Sequence, residues 1–75
     1  MICEMSNDGR PGDVRIKWNS DNDFEVHEAR KRFEELVKQG YRAFTLEKGG
    51  KPGEMIQKFD PKLERIHLAQ PMRGG

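Results

Sequence analysis

The sequence predicts an α+β fold in which one amphipathic helix packs on a four- or five-stranded mixed sheet. Three observations predict it. One stretch, Val26 to Val37, repeats its apolar residues at helical spacing. Segments of alternating or β-rich residues stand on both sides of it. Only short, turn-rich stretches separate the elements, so nothing divides the chain into two domains. A lone amphipathic helix can bury its stripe only against the apolar face of a sheet.

Met1-Ile2-Cys3-Glu4-Met5 reads as a short first strand. Ser6 to Asp13 gathers nearly every turn-forming residue type, with Asp8-Gly9 the expected tight turn. Val14-Arg15-Ile16-Lys17-Trp18 alternates strictly, which places Val14, Ile16 and Trp18 on one face of a half-buried strand. Asn19 to Asp23 then leads into the helix, expected from Asp23 to Gln39. Asn22 is the expected cap, with Glu25 completing a capping box. Asp21, Asp23, Glu25 and Glu28 suit the positive end of the helix dipole. Val26, Ala29, Phe33, Leu36 and Val37 form the apolar stripe. Glu28–Arg32, Lys31–Glu35 and Glu34–Lys38 are spaced for i,i+4 ion pairs. Gly40 stands where a left-handed cap belongs, and Tyr41 follows to pack back on the last turn.

Tyr41 to Glu47 is β-rich, with Phe44 and Leu46 expected inward and Tyr41, Ala43 and Thr45 on the other face. Lys48 to Glu54 reads as a long hairpin loop. Met55 to Phe59 reads as a strand ended by Asp60-Pro61, and Leu63 to Ala69 as the last strand, with Ile66 and Leu68 inward and His67 outward. The expected core joins these inward residues to Val14, Ile16, Trp18, Ile56 and the helix stripe, Val37, Phe44 and Leu46 included. Residues 1–69 form the domain and residues 70–75 a projecting tail.

The totals narrow the function. At 75 residues a single core is only just sufficient, which leaves little stability for an enclosed cleft. One cysteine, Cys3, permits no internal disulfide and suits a reducing cytoplasm. No apolar run approaches the length of a membrane span, and no targeting segment is visible. The net charge of +1 argues against a nucleic-acid binder. Residues 1–40 hold seven Lys/Arg and nine Asp/Glu, and residues 41–75 hold seven and four, so the second half is the basic one. That offset is compatible with an acidic protein partner.

The side chains offer no enzyme constellation. Cys3 is expected as a small buried hydrophobe, His27 as a solvated helix residue and His67 on the outer sheet face. Their spacing matches no metal pattern with close ligand pairs. Asp21, Asp23 and Glu25 lack the mid-loop Gly and distal Glu of a calcium loop. Gly49-Gly50-Lys51-Pro52-Gly53 lacks the Gly-Lys-Ser/Thr ending of a phosphate cradle. Arg73-Gly74-Gly75 matches one unit of an RNA-binding Arg-Gly-Gly repeat, but a single copy carries little charge.

The tail is the remaining signal. Pro71 has no N–H to give a sheet, so pairing stops there. Met72 and Arg73 follow, and Gly74 and Gly75 bring no side chain at all. A strand, a capped helix, further strands and a last strand running into Pro71-Met72-Arg73-Gly74-Gly75 resembles the ubiquitin-like β-grasp family. That family includes protein modifiers and the small sulfur carriers of molybdopterin and thiamine synthesis. A proline shortly before the diglycine is similar to the molybdopterin-type carriers, and arginine directly before it is similar to the modifiers. A β-grasp usually inserts a crossing segment between its later strands, whereas here the third and fourth strands read as a simple hairpin.

The resemblance implies a non-enzyme whose Gly75 carboxylate is adenylated by a separate activating enzyme that uses ATP. Gly75 would then be conjugated to a target protein or thiocarboxylated for a sulfur-accepting enzyme. Gly74 would give access to a narrow site, Arg73 and Met72 would help the partner grip, and the exposed sheet face would dock. No bound cofactor or metal is implied. The competing expectation is a small αβ adaptor that binds protein, or less readily nucleic acid, with no tail chemistry.

Overall fold

The structure, a computed structural model, describes residues 1–7, 14–47 and 51–70, with Pro52 described by its backbone alone. Strands β1 (Ile2–Ser6) and β2 (Arg15–Asn19) pair antiparallel, with Cys3 opposite Trp18 and Met5 opposite Ile16. Asn7 fixes the neck of this pair. Its N–H donates to the Val14 carbonyl at 3.2 Å, and its Oδ1 accepts from the Val14 N–H at 3.0 Å. Asn7 is fully buried, and these bonds offset the loss of its water. The expected Asp8-Gly9 turn lies outside the described residues.

Helix α1 spans Asp23–Lys38. Asn22 caps it as expected, its Oδ1 accepting from the Glu25 N–H at 3.1 Å. The return half of the capping box differs. Glu25 Oε1 accepts from the Asn19 N–H at 3.0 Å, while the Asn22 N–H donates to the Asn19 carbonyl at 3.0 Å. The helix start is thereby tied to the end of β2. At the other end Gly40 takes φ 105°, its N–H donates to the Val37 carbonyl, and the Tyr41 N–H donates to the Leu36 carbonyl, each at 3.0 Å. This pair of bonds is a Schellman cap. The ion pairs seen on the helix are i,i+3, not the expected i,i+4: Lys31–Glu28 at 4.0 Å and Arg32–Glu35 at 2.9 Å. All four side chains are exposed, so these pairs contribute little.

Strands β3 (Arg42–Leu46), β4 (Pro52–Ile56) and β5 (Arg65–Ala69) complete a five-stranded sheet of order β2-β1-β5-β3-β4. β4 begins earlier than the expected Met55 and ends at Ile56. Its first residue is a proline, which an edge strand tolerates. β3 and β4 form the expected hairpin, and the crossing segment instead lies between β4 and β5. It carries β5 back to the centre, parallel to β1 and antiparallel to β3. One helix on this mixed sheet, with parallel β1 and β5 at its centre, is a β-grasp-like α+β fold.

The crossing segment is anchored by aromatic and polar contacts. The Phe59 ring lies 5.0 Å from Trp18 and 5.6 Å from Phe33. Trp18 Nε1–H donates to the Pro61 carbonyl at 3.0 Å. Asp60 opens a turn, its Oδ1 accepting from the Lys62 N–H at 2.9 Å. The core includes Met5, Trp18, Phe33, Ile66 and Leu68, with Cys3 and Ala43 filling the smaller spaces.

Three expected core residues belong elsewhere. β3 pairs with β5 so that Ala43 faces Leu68 and Thr45 faces Ile66. Partners directly opposite share a face, so inward Ile66 and Leu68 bring Ala43 and Thr45 inward with them. Phe44 and Leu46 therefore stand on the outer face. Val37, at the rim of the helix stripe, is 37 % exposed.

Candidate functional site

β5 leaves the sheet from its centre. Its last residue, Ala69, pairs with Arg42, and exposed Gln70 follows. The four residues expected to carry or present the chemistry, Met72, Arg73, Gly74 and Gly75, lie outside the described residues. The described part of the site is the outer sheet face that borders the point of departure.

That face is built by strand alternation. Glu4 on β1 stands between Lys17 on β2 and Arg65 on β5, and Phe44 on β3 stands between His67 on β5 and Met55 on β4. The Phe44 and His67 rings are 6.4 Å apart. With Leu46 and Ala69 they form a partly covered apolar strip, and Met55 at its margin is 51 % exposed. Arg42 and Arg65 flank the strip on β3 and β5, and Arg15 and Lys17 lie on the far side of β1. Glu4 is the one carboxylate at these strand positions, and it lies 3.5 Å from Arg15. Four cations against one anion give the face a net +3, while the whole chain carries +1. Among the described strand positions, the outward charges are thus mostly positive. A shallow depression of about 130 Å³ opens among Glu4, Ser6, Arg15, Arg65 and His67.

The structure keeps the other candidate groups apart. Cys3 is buried in the core, where its Sγ lies 3.6 Å from the Pro61 carbonyl oxygen. Burial pushes its thiol pKa up, as suits a structural cysteine and not a reactive one. His27 is exposed on α1, and His67 is on the outer face as expected. Among the described residues no three His, Cys, Asp or Glu side chains gather as metal ligands. Asp21, Asp23 and Glu25 sit at the helix start, where Glu25 holds the Asn19 N–H. Lys48-Gly49-Gly50 lies outside the described residues. No described helix is long and apolar enough to cross a membrane.

Phe44 and Leu46 are the site residues that sequence reasoning misplaced. The available signal was apolar character on both faces of Tyr41–Glu47, which marks a strand with two covered or binding faces. No family model, no characterised protein and no solved structure matches this chain.

Proposed function

We propose that this chain is a ubiquitin-like protein modifier or sulfur carrier, activated through Gly75. One observation carries the reading. The strand that leads to the diglycine is the central one, β5, and Ala69 is its last residue. A tail leaving from a central strand is held by a pairing partner on each side, so an enzyme can pull on it without unfolding its base. At about 3.3 Å per residue, six residues of fully extended chain span at most roughly 20 Å.

The chemistry follows from the carboxylate. It is a poor electrophile until coupled to AMP. The activating enzyme joins the Gly75 carboxylate to the α-phosphate of ATP and releases pyrophosphate. Attack by a hydrosulfide-level sulfur donor then expels AMP and leaves a thiocarboxylate. Attack by a lysine amine expels AMP and leaves an isopeptide bond. This chain supplies the substrate and not the catalyst. Gly74 gives passage, Arg73 and Met72 supply grip, and the +3 outer face supplies docking to an acidic activating enzyme in the cytoplasm. Gly75 must be the terminal residue at the moment of activation.

The test compares the full chain with one ending at Arg73, each incubated with ATP and magnesium in lysate of the source cell. A mass gain equal to one oxygen replaced by sulfur, only in the full chain, identifies a sulfur carrier. Larger covalent adducts that require Gly75 identify a modifier. The exposed, basic and apolar outer face favours a second reading, an adaptor that binds an acidic protein without tail chemistry. In that case both forms stay unmodified and hold the same partners.

A further inference from the structure

Helix α1 packs most closely on β2, at one edge of the sheet. The inner side of the opposite edge is less covered. Two open cavities lie there, of about 330 and 380 Å³, and Gln57 lines both. The first has Val37, Tyr41, Ala43 and Ile56 in its wall, and the second Phe33 and Phe59. The helix contributes Arg30, Phe33, Glu34 and Val37, spaced i, i+3, i+4 and i+7, so one helix stripe lines both cavities. At 1.5 Å per residue that stripe is about 10 Å long. Val37 and Met55, 37 % and 51 % exposed, stand at its margins. With Arg42 pointing to the outer face, the charged residues of the wall are Arg30 and Lys58 against Glu34, a net +1.

We propose that this groove binds an extended segment of a partner protein that combines apolar and acidic side chains. The floor is apolar and the rim is cationic, so the occupant must offer both. A stripe of about 10 Å holds three residues of extended chain. Recognition runs through side chains, because β4 is a poor template for an added strand. It starts at Pro52, and its register with β3 shifts between Phe44 and Leu46. A second copy of this chain is a poor occupant. A two-fold contact would bring two walls of the same net positive charge together. The proposal does not rest on the chemistry of Gly75, and it gives the protein a second interaction surface away from Arg65 and His67.

The test begins with selection of phage-displayed random peptides on the immobilised full chain. The best peptide is then synthesised, labelled and titrated by fluorescence anisotropy. Selected peptides should combine Asp or Glu with apolar residues. Val37→Asp, and separately the exposed pair Arg30→Glu with Lys58→Glu, should each weaken binding roughly tenfold or more. Arg65→Glu on the outer face should change it by less than about twofold. Buried Trp18 fluorescence reports whether each variant is folded, and the charge-reversal pair decides the matter if Val37→Asp is not. The proposal is overturned by no enrichment, by peptides that tolerate both changes, by peptides that Arg65→Glu abolishes, or by self-association that Val37→Asp removes.

Discussion

The two faces of the sheet are written in alternate residues of the same five strands, yet they do opposite work. Inward, Met5, Trp18, Ile66 and Leu68 are fully buried under the helix and the crossing segment. Outward, their neighbours Glu4, Lys17, Arg65 and His67 carry charge or a polar ring beside Phe44 and Leu46. A domain this small needs its whole inner face for stability. The proposed binding and tail chemistry use the outer face, the groove margin and the tail, where changes cost the fold little.

That contrast can be broken most sharply at Trp18. It joins three elements, through Cys3 across β1, Phe59 and the Pro61 carbonyl. Trp18→Ala should cost about 3–5 kcal/mol. Denaturant unfolding followed by circular dichroism measures it, and a loss below about 1 kcal/mol would remove the crossing segment's anchor from the account. Gly40→Ala should cost roughly 1–2 kcal/mol, because an alanine at φ 105° clashes with its own backbone. Asn22→Ala should cost about 1 kcal/mol through the lost cap.

A smaller effect comes from pH. Burial raises the folded Cys3 pKa above its ordinary value of 9.0. As pH rises through that value the unfolded thiol ionises first, so the unfolded state binds fewer protons and stability falls. Unfolding midpoints should therefore decline above about pH 9, and Cys3→Ala should flatten that decline. The smallest effects are expected outside the core. Arg65→Glu, or removal of Gly74 and Gly75, should move stability by no more than about 0.5 kcal/mol. The first should still weaken docking of an activating enzyme, read as a rise in KM for this chain, and the second should abolish its modification.

The helix and its caps were legible because their signals are local. Asn22 and Gly40 act within a turn of their own positions. The capping box was misread in one detail, since Glu25 found a donor on β2 that only the tertiary fold brings near. The facing of β3 was not legible. Tyr41 to Leu46 carries apolar groups on both sides, and only pairing with β5 decides that Ala43 goes inward and Phe44 outward. The start of β4 was hidden for a related reason, because Pro52 reads as a breaker until its place at the sheet edge is known. The proposed tail chemistry rests on residue types alone. The fold adds the central position of the strand that leads to it.

The most direct measurement is the covalent state of Gly75 in the cell. The chain, tagged before Met1, would be recovered from its own organism under denaturing conditions and its C-terminal peptide analysed by mass spectrometry. The account predicts a fraction with Gly75 as a thiocarboxylate or joined to a lysine, and none in a strain lacking the activating enzyme. If every molecule carries a free, unmodified Gly75, or residues that continue beyond it, the account of the tail is contradicted.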